Sequence, residues 1–381
     1  MTLAERTPTS DVALVDLSGP DAAHALDRLR RQGPLVWVPV LDGWLTTTHD
    51  LASTVMRDPA TYTVDDPRFS TARVVGPSML STDGAEHRRH RSPFGPPFRA
   101  ARVEERFGDH VRSVAEDLVD RVVPDGRADL RAALAGPLSV LVIADALGLR
   151  DVTAPTVLSW YAAIVGAVST ITEGGTPDPA SRRAIDDLAA AVRRHLDESP
   201  VLGGARADLT EDEVVSNAAV MMFGGIETTE AMICNALVHL LGSDQPRADL
   251  DRVVEESLRL EPAAAFVDRY ATRDVIVRDA HVVAGDLVRV SLGAANRDPV
   301  VFAEPDVYDP GRPDLHKQVA FARGPHACVA MDLARLETVV ALRTVLDRLP
   351  RARLTNPAPI TGLVFRKPAE VPVEWTPAPA G

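Results

Sequence analysis

Between Thr210 and Gly242 the chain runs for about 31 residues without a proline, a stretch that spans roughly 46 Å as an α-helix. Thr210 followed three residues later by Glu213 is a capping box, and Gly242 is a suitable stop. From Asn217 to Ile226 no residue carries a charge, so this part is uncharged on every face. A helix of that kind has to be enclosed by other elements. It is too short, and too interrupted by Gly224-Gly225, for a membrane span. Whatever this chain folds into must therefore wrap a long buried helix, which predicts a mainly α domain.

The middle of that helix reads Gly224-Gly225-Ile226-Glu227-Thr228-Thr229. Each glycine costs a helix interior about 1 kcal/mol relative to alanine, so a packing or functional gain has to offset the pair. Missing side chains leave a groove, and the Thr228 hydroxyl can reach the Gly224 carbonyl four residues back. A carboxylate beside it, Glu227, has to be paired or to move protons. A close helix–helix contact at the glycines, with a polar pair facing solvent, is equally open on this stretch alone.

Cys328 is the second chemical feature. It sits in Phe321-Ala322-Arg323-Gly324-Pro325-His326-Ala327-Cys328-Val329-Ala330, a turn followed by a helix-prone run from Val329 to Leu349. Unpaired N–H groups and the positive end of a helix dipole favour a thiolate there. A thiolate open on one side is a ligand for a soft metal or for haem iron; an inert buried thiol is the alternative. The other cysteine, Cys234, lies in the long helix and is assigned to packing.

The rest of the chain supplies a helical frame. Arg112 to Val123, Leu138 to Leu147, Pro155 to Val168 and Ala180 to Leu196 read as helices, with a loop at Glu173 to Pro177 between the last two. Leu35 to Pro39 and Trp44 to Thr47 read as a hairpin, and strand-like runs return at Val275 to Val277, Val282 to Val290 and Val371 to Trp375. No linker or repeat divides residues 1–381, which predicts one domain. The first fifty residues hold no long apolar run, so neither a signal peptide nor an anchor is expected and the cytoplasm is the expected location. A net charge of −13 argues against nucleic acid as a partner. Charge is uneven, however: Arg88, Arg89, Arg91, Arg99, Arg102 and Arg106 face only Glu104 and Glu105 between His87 and Arg106.

The cysteine run resembles the haem-binding loop of the cytochrome P-450 superfamily, F-G-x-G-x-H-x-C-x-G, with Phe321, Gly324, His326 and Cys328 matching and Ala322 and Ala330 replacing glycines. Alanine tolerates positive φ poorly, so Ala322 is expected in an ordinary backbone region and Gly324 in any left-handed one. Gly224 to Thr229 resembles the family's A/G-G-x-D/E-T-T motif, and Glu256-Ser257-Leu258-Arg259 its E-x-x-R. His87 and Arg91 match its H-x-x-x-R, although prolines at 93, 96 and 97 should end that helix early.

The resemblance implies the cytochrome P-450 fold, mainly α with small β-sheets and the long central helix over haem. It implies haem b bound through the Cys328 thiolate, propionates met by His87, Arg91, Arg269 and His326, and proton delivery by Thr228 and Glu227. Glu256, Arg259 and Arg312 become a fold-holding ion network. Phe69, Arg73, Met79, Met221, Phe223, Gly224, Phe266, Val267 and Leu363 become pocket walls. The implied activity is a haem-thiolate monooxygenase of secondary metabolism, hydroxylating or epoxidising a small apolar substrate. Electrons would come from a ferredoxin and its ferredoxin reductase, docking near the basic patch at Arg88 and Arg102. A peroxide-using or non-oxidative haem-thiolate enzyme and a non-catalytic haem sensor are the alternatives.

Overall fold

The computed structural model describes residues 6–172, 175–244, 249–356 and 359–376. Helices α1 (Leu14–Ser18) and α2 (Ala22–Arg30) precede the hairpin of β1 (Leu35–Val38) and β2 (Gly43–Thr46), which sets Trp37 opposite Trp44. The chain continues through α3 (His49–Arg57), β3 (Tyr62–Thr63), α4 (Ser70–Val75) and α5 (Gly84–Arg91). As the prolines require, α5 stops at Arg91, and Pro96–Phe98 forms a 3₁₀ turn. α6 then runs from Ala100 to Asp120, starting well before the expected Arg112 because Arg99 caps it directly after that turn.

Next come β4 (Arg127–Asp129), a π-turn at Arg131–Ala135, α7 (Gly136–Leu147), α8 (Ala154–Thr172), α9 (Pro179–His195) and α10 (Pro200–Ala205). Of the loop expected at Glu173 to Pro177, Glu173 and Gly174 lie outside the described residues. α11 (Glu211–Leu241) is the long helix, and both halves of its capping box form: Thr210 Oγ1 accepts from Glu213 N–H, and the Glu213 carboxylate accepts from Thr210 N–H at 2.8 Å. Such a cap stabilises by about 1 kcal/mol. Most of α11 is buried, with α7, α8, α9, α12 (Leu250–Leu260) and α14 (Met331–Arg348) packed around it. Enclosure is what its uncharged middle demanded.

The remaining elements are β5 (Phe266–Ala271), β6 (Val275–Val277), β7 (Ala280–Val282), β8 (Leu287–Ser291), α13 (Leu292–Ala295) and the short strands β9 (Arg353–Leu354), β10 (Ile360–Thr361), β11 (Lys367–Pro368) and β12 (Pro372–Glu374). The largest sheet has the order β1-β2-β8-β5-β3, parallel only between β2 and β8. The apolar run from Val282 to Val290 is not one strand. It breaks at Gly285, φ 87, where the Asp286 carboxylate turns back to accept from Val283 N–H at 3.0 Å.

The ion network forms as expected. Glu256 binds Arg259 bidentately at 2.7 and 2.8 Å and Arg312 at 3.3 Å, in a site where Glu256 and Arg259 are wholly buried. No helix among the described residues is long and apolar enough to cross a membrane.

Candidate active site

The loop from Phe321 to Ala330 leads into α14 and faces α11 across a cavity. Cys328 N–H donates to the Phe321 carbonyl at 2.9 Å, and Ala327 N–H to Gly324 at 3.1 Å, which closes the loop under the sulfur. Gly324 takes the left-handed conformation at φ 75, as expected. A Cβ there would press into the Met56 carbonyl oxygen and stand 3.0 Å from Arg57 Cα, so the loop seats on the end of α3. Ala322 departs from expectation: it is also left-handed, at φ 58. The loop turns at both positions, with Ala322 N–H closing onto the Val319 carbonyl at 2.9 Å, and alanine carries the ~1–2 kcal/mol that a glycine would avoid.

Burial pushes the Cys328 thiol up, against the Ala330 N–H and the Arg91 guanidinium.

Across the cavity the two glycines have separate tasks. A Cβ on Gly224 would meet nothing within 4 Å, whereas one on Gly225 would stand 2.9 Å from Ile143 Cγ1 of α7. Gly224 leaves space at the cavity, and Gly225 permits close packing on α7, whereas Glu227 and Thr228 do not form a polar pair facing solvent. Thr228 Oγ1 donates to the Gly224 carbonyl at 2.5 Å, as its spacing predicted.

Glu227 turns away from this cavity. It forms an ion pair with Lys367 at 2.8 Å and accepts from the Tyr161 hydroxyl. Lys367 also holds Glu230 at 2.5 Å, and Glu230 pairs with Arg131 at 2.8 Å. Sequence reasoning required a partner for Glu227 without supplying one, because Tyr161 and Lys367 come from distant segments.

The polar rim divides. Arg91 lines the cavity and donates to the Ala327 carbonyl at 2.6 Å. Arg269 shares a strand face with cavity-lining Val267, is almost wholly buried, and donates to the Asp268 carbonyl at 2.8 Å; burial pushes it down to about 10. The His87 ring lies 4.3 Å from that of His326, and its Nε2 is buried without a partner. Burial, then the nearby His326 and Arg91, lower His87 to about 4. His326 lines the cavity but bonds Asp83 through Nε2 at 2.8 Å. Burial pushes the Asp83 carboxyl up, yet bonds from His326, Thr63 and Val64 N–H outweigh it and hold it below the ordinary range.

Of the expected pocket walls, Met79, Met221, Gly224 and Val267 line the cavity; Phe69, Arg73, Phe223, Phe266 and Leu363 do not. Phe266 alternates with Val267 on β5 and so points into the N-terminal cluster that Leu363 also joins. Phe223 lies on the Glu227 face of α11, between Tyr161 and Phe365. Phe69 and Arg73 belong to the partly exposed α4 segment, which packs on α8. Ile143, Leu292 and Glu337 line the cavity unforeseen. Burial holds the Glu337 carboxyl far above its ordinary range, and its Oε2 has no partner. The basic patch is partly neutralised: Arg89 pairs with Glu86 and Glu213, and Arg102 with Glu105 at 2.9 Å, while Arg88 stays exposed.

Comparison with known proteins gives a consistent result. The family model "Cytochrome P450" matches residues 249–366. Nocardicin C N-oxygenase of Nocardia uniformis subsp. tsuyamanensis is 34% identical, covering 97% of this chain and all of that protein. Mycinamicin IV hydroxylase/epoxidase of Micromonospora griseorubida is 32% identical over 88% of this chain and 90% of the relative. Among solved structures, CalO2 superposes with a TM-score of 0.84 at 26% identity, covering 94% of this chain and 96% of that one.

Proposed function

The chain belongs to the cytochrome P450 family and is a monooxygenase, and on that premise we propose that Cys328 ligates the iron of haem b and that Thr228 and Glu227 supply protons. The observation that carries this reading is that Cys328, Gly224 and Thr228 line one cavity. The residues fit the group. Gly224 faces open space, Cys328 and Arg91 line the same cavity, and Arg269 and an unpartnered His87 Nε2 stand beside the lining residues Val267 and His326, donors suited to two carboxylates. His326 also lines the cavity, with its Nε2 already bonded to Asp83.

When bound, haem supplies dioxygen activation: two electrons and two protons convert O₂ and an apolar substrate into one oxygenated product and water. This chain's residues exclude water, orient substrate and move the protons. Val220, Met221, Ile143 and Val267 make walls that suit a small apolar molecule. Thr228, bonded to the Gly224 carbonyl, presents its hydroxyl oxygen as an acceptor at the cavity wall. Electrons come from a ferredoxin and its reductase, with exposed Arg88 part of the docking face.

The test is reconstitution with haem followed by the ferrous carbonyl spectrum. Wild type is expected to show the thiolate signature and Cys328→Ser to lose it; a serine variant that keeps it would refute the assignment. In the same preparations Thr228→Ala should divert electrons from product to hydrogen peroxide. Unchanged coupling would remove Thr228 from proton delivery.

A further inference from the structure

One face of α11 carries Phe223, Glu227 and Glu230, and the β10–β11 hairpin lies along it. Residues i and i+2 of a strand advance by about 6.7 Å and residues i and i+4 of a helix by about 6 Å. Phe365 and Lys367 therefore meet Phe223 and Glu227 in register: Phe365 contacts the Phe223 ring at 5.6 Å between centroids, and Lys367 Nζ reaches Glu227 at 2.8 Å. From α8, Tyr161 stacks on Phe223 and donates to Glu227. The same ammonium holds Glu230 at 2.5 Å, and the three charged side chains are only 12–15% exposed. Arg131 is committed to Glu230 and to the Ala369 carbonyl at 2.7 Å, while Cys234 and Asp129 complete the titratable surroundings.

We propose that Lys367 and Tyr161 are positioning residues for Glu227, holding its carboxylate to one side of the cavity-facing surface of α11, and that Glu230 is the alternative partner that lets the ammonium release it. This rests on Glu227 being the proton relay. On α11, Glu227 lies about 60° around the axis from Gly224, so a side-chain rotation separates the Lys367 side from the cavity side. A lone ammonium left behind in so buried a place would oppose that rotation. Glu230, already bound to Lys367, removes the obstacle because the cation keeps a carboxylate whichever way Glu227 turns. Two carboxylates one turn apart repel each other, and the two cations present, Lys367 and Arg131, offset that repulsion.

The test uses haem-loaded wild type, Lys367→Met, Lys367→Arg, Tyr161→Phe, Glu230→Gln and Glu227→Gln. One readout is the pH at which the Glu227 carboxyl band, identified by its loss in Glu227→Gln, appears in difference infrared spectra of the resting protein. The other is the pH profile of product formed per electron consumed. Lys367→Met should raise the pH of the band by at least one unit and move the acidic limb of the profile with it; Lys367→Arg should restore both. Tyr161→Phe should move them the same way by less. Glu230→Gln should act oppositely, since Lys367 then serves Glu227 alone: the band appears at lower pH and coupling falls. Lys367→Met spectra and profile like wild type, with Glu227→Gln uncoupled, would overturn the positioning role. A Glu230→Gln shift in the same direction as Lys367→Met would overturn the exchange of partners. Glu227→Gln with full coupling would instead overturn the relay beneath both. Should Lys367→Met fail to fold, the opposed shifts of Tyr161→Phe and Glu230→Gln decide alone.

Discussion

Gly324→Ala separates two reasons why the cysteine loop keeps a glycine. At φ 75 an L side chain costs about 1–2 kcal/mol, and a stiffer unfolded chain returns about 0.4–1 kcal/mol of it. Gly84 supplies the reference: it is left-handed at φ 61, and a Cβ there would meet nothing within 4 Å. Gly84→Ala should therefore lose only the conformational part, about 1 kcal/mol. At Gly324 the new methyl would press into the Met56 carbonyl oxygen, 3.1 Å from its carbon and 3.0 Å from Arg57 Cα. These are backbone atoms of α3 and cannot rotate aside, so the loop must retreat. Overpacking of that kind adds about 1–3 kcal/mol, for a total near 2–4 kcal/mol. Retreat also strains the Ala327–Gly324 and Cys328–Phe321 hydrogen bonds, which seat the sulfur. Denaturant unfolding of both variants measures the energies, and the ferrous carbonyl spectrum reports the sulfur. Gly324→Ala should lose at least twice the stability of Gly84→Ala and alone show a reduced thiolate signature. Equal losses with intact spectra would mean that contact with α3 contributes nothing.

Glu256→Gln leaves two buried guanidiniums short of a carboxylate and should cost about 3–5 kcal/mol, whereas Arg353→Ala, breaking an exposed pair with Glu374, should cost under about 1 kcal/mol in thermal or denaturant unfolding; similar losses would contradict the burial argument. His239 and His87 are held neutral by burial, each lowered from 6.5 to about 4, so the unfolded chain binds protons that the folded one refuses. Stability of the haem-free protein should accordingly be full above pH 6.5 and fall as pH drops towards 4, and His239→Gln should flatten that slope; an unchanged slope would exclude His239 as its source. Arg88→Glu should slow reduction by ferredoxin at low salt without loss of haem. Arg102→Glu should do less, because Glu105 already neutralises Arg102; identical reduction rates for Arg88→Glu and wild type would move the docking face elsewhere.

Features whose partners lie within a few residues were legible in the sequence. The Thr210–Glu213 box, the Thr228 bond to Gly224, the Glu256–Arg259 pair and the stop of α5 at Arg91 all follow from spacing and from proline chemistry. Ala322 was misplaced for an informative reason. Local preference forbids little that a loop tied at both ends can impose, and about 1–2 kcal/mol of left-handed strain is within reach of a well-packed domain. At Cys328 the helix start was legible, but the burial that pushes the thiol up was not.

The harder losses concern which face of an element meets which neighbour. Periodicity correctly separates Phe266 from Val267 and Phe223 from Gly224, yet it says nothing about which member of each pair faces the cavity. That choice is made by what covers each face: for Phe266 the N-terminal cluster, and for Phe223 a hairpin more than a hundred residues further along the chain. The same hairpin gives Glu227 its counter-ion, through a lysine that no local pattern connects to it. An acid whose environment is supplied from so far away can keep its neighbours Gly224 and Thr228 unchanged while its own behaviour is reset by one residue on β11. The proposed proton delivery would thus rest on two separable determinants, the local geometry of α11 and the charge that β11 lays against it. Substitutions at Lys367 can alter the second without disturbing the first.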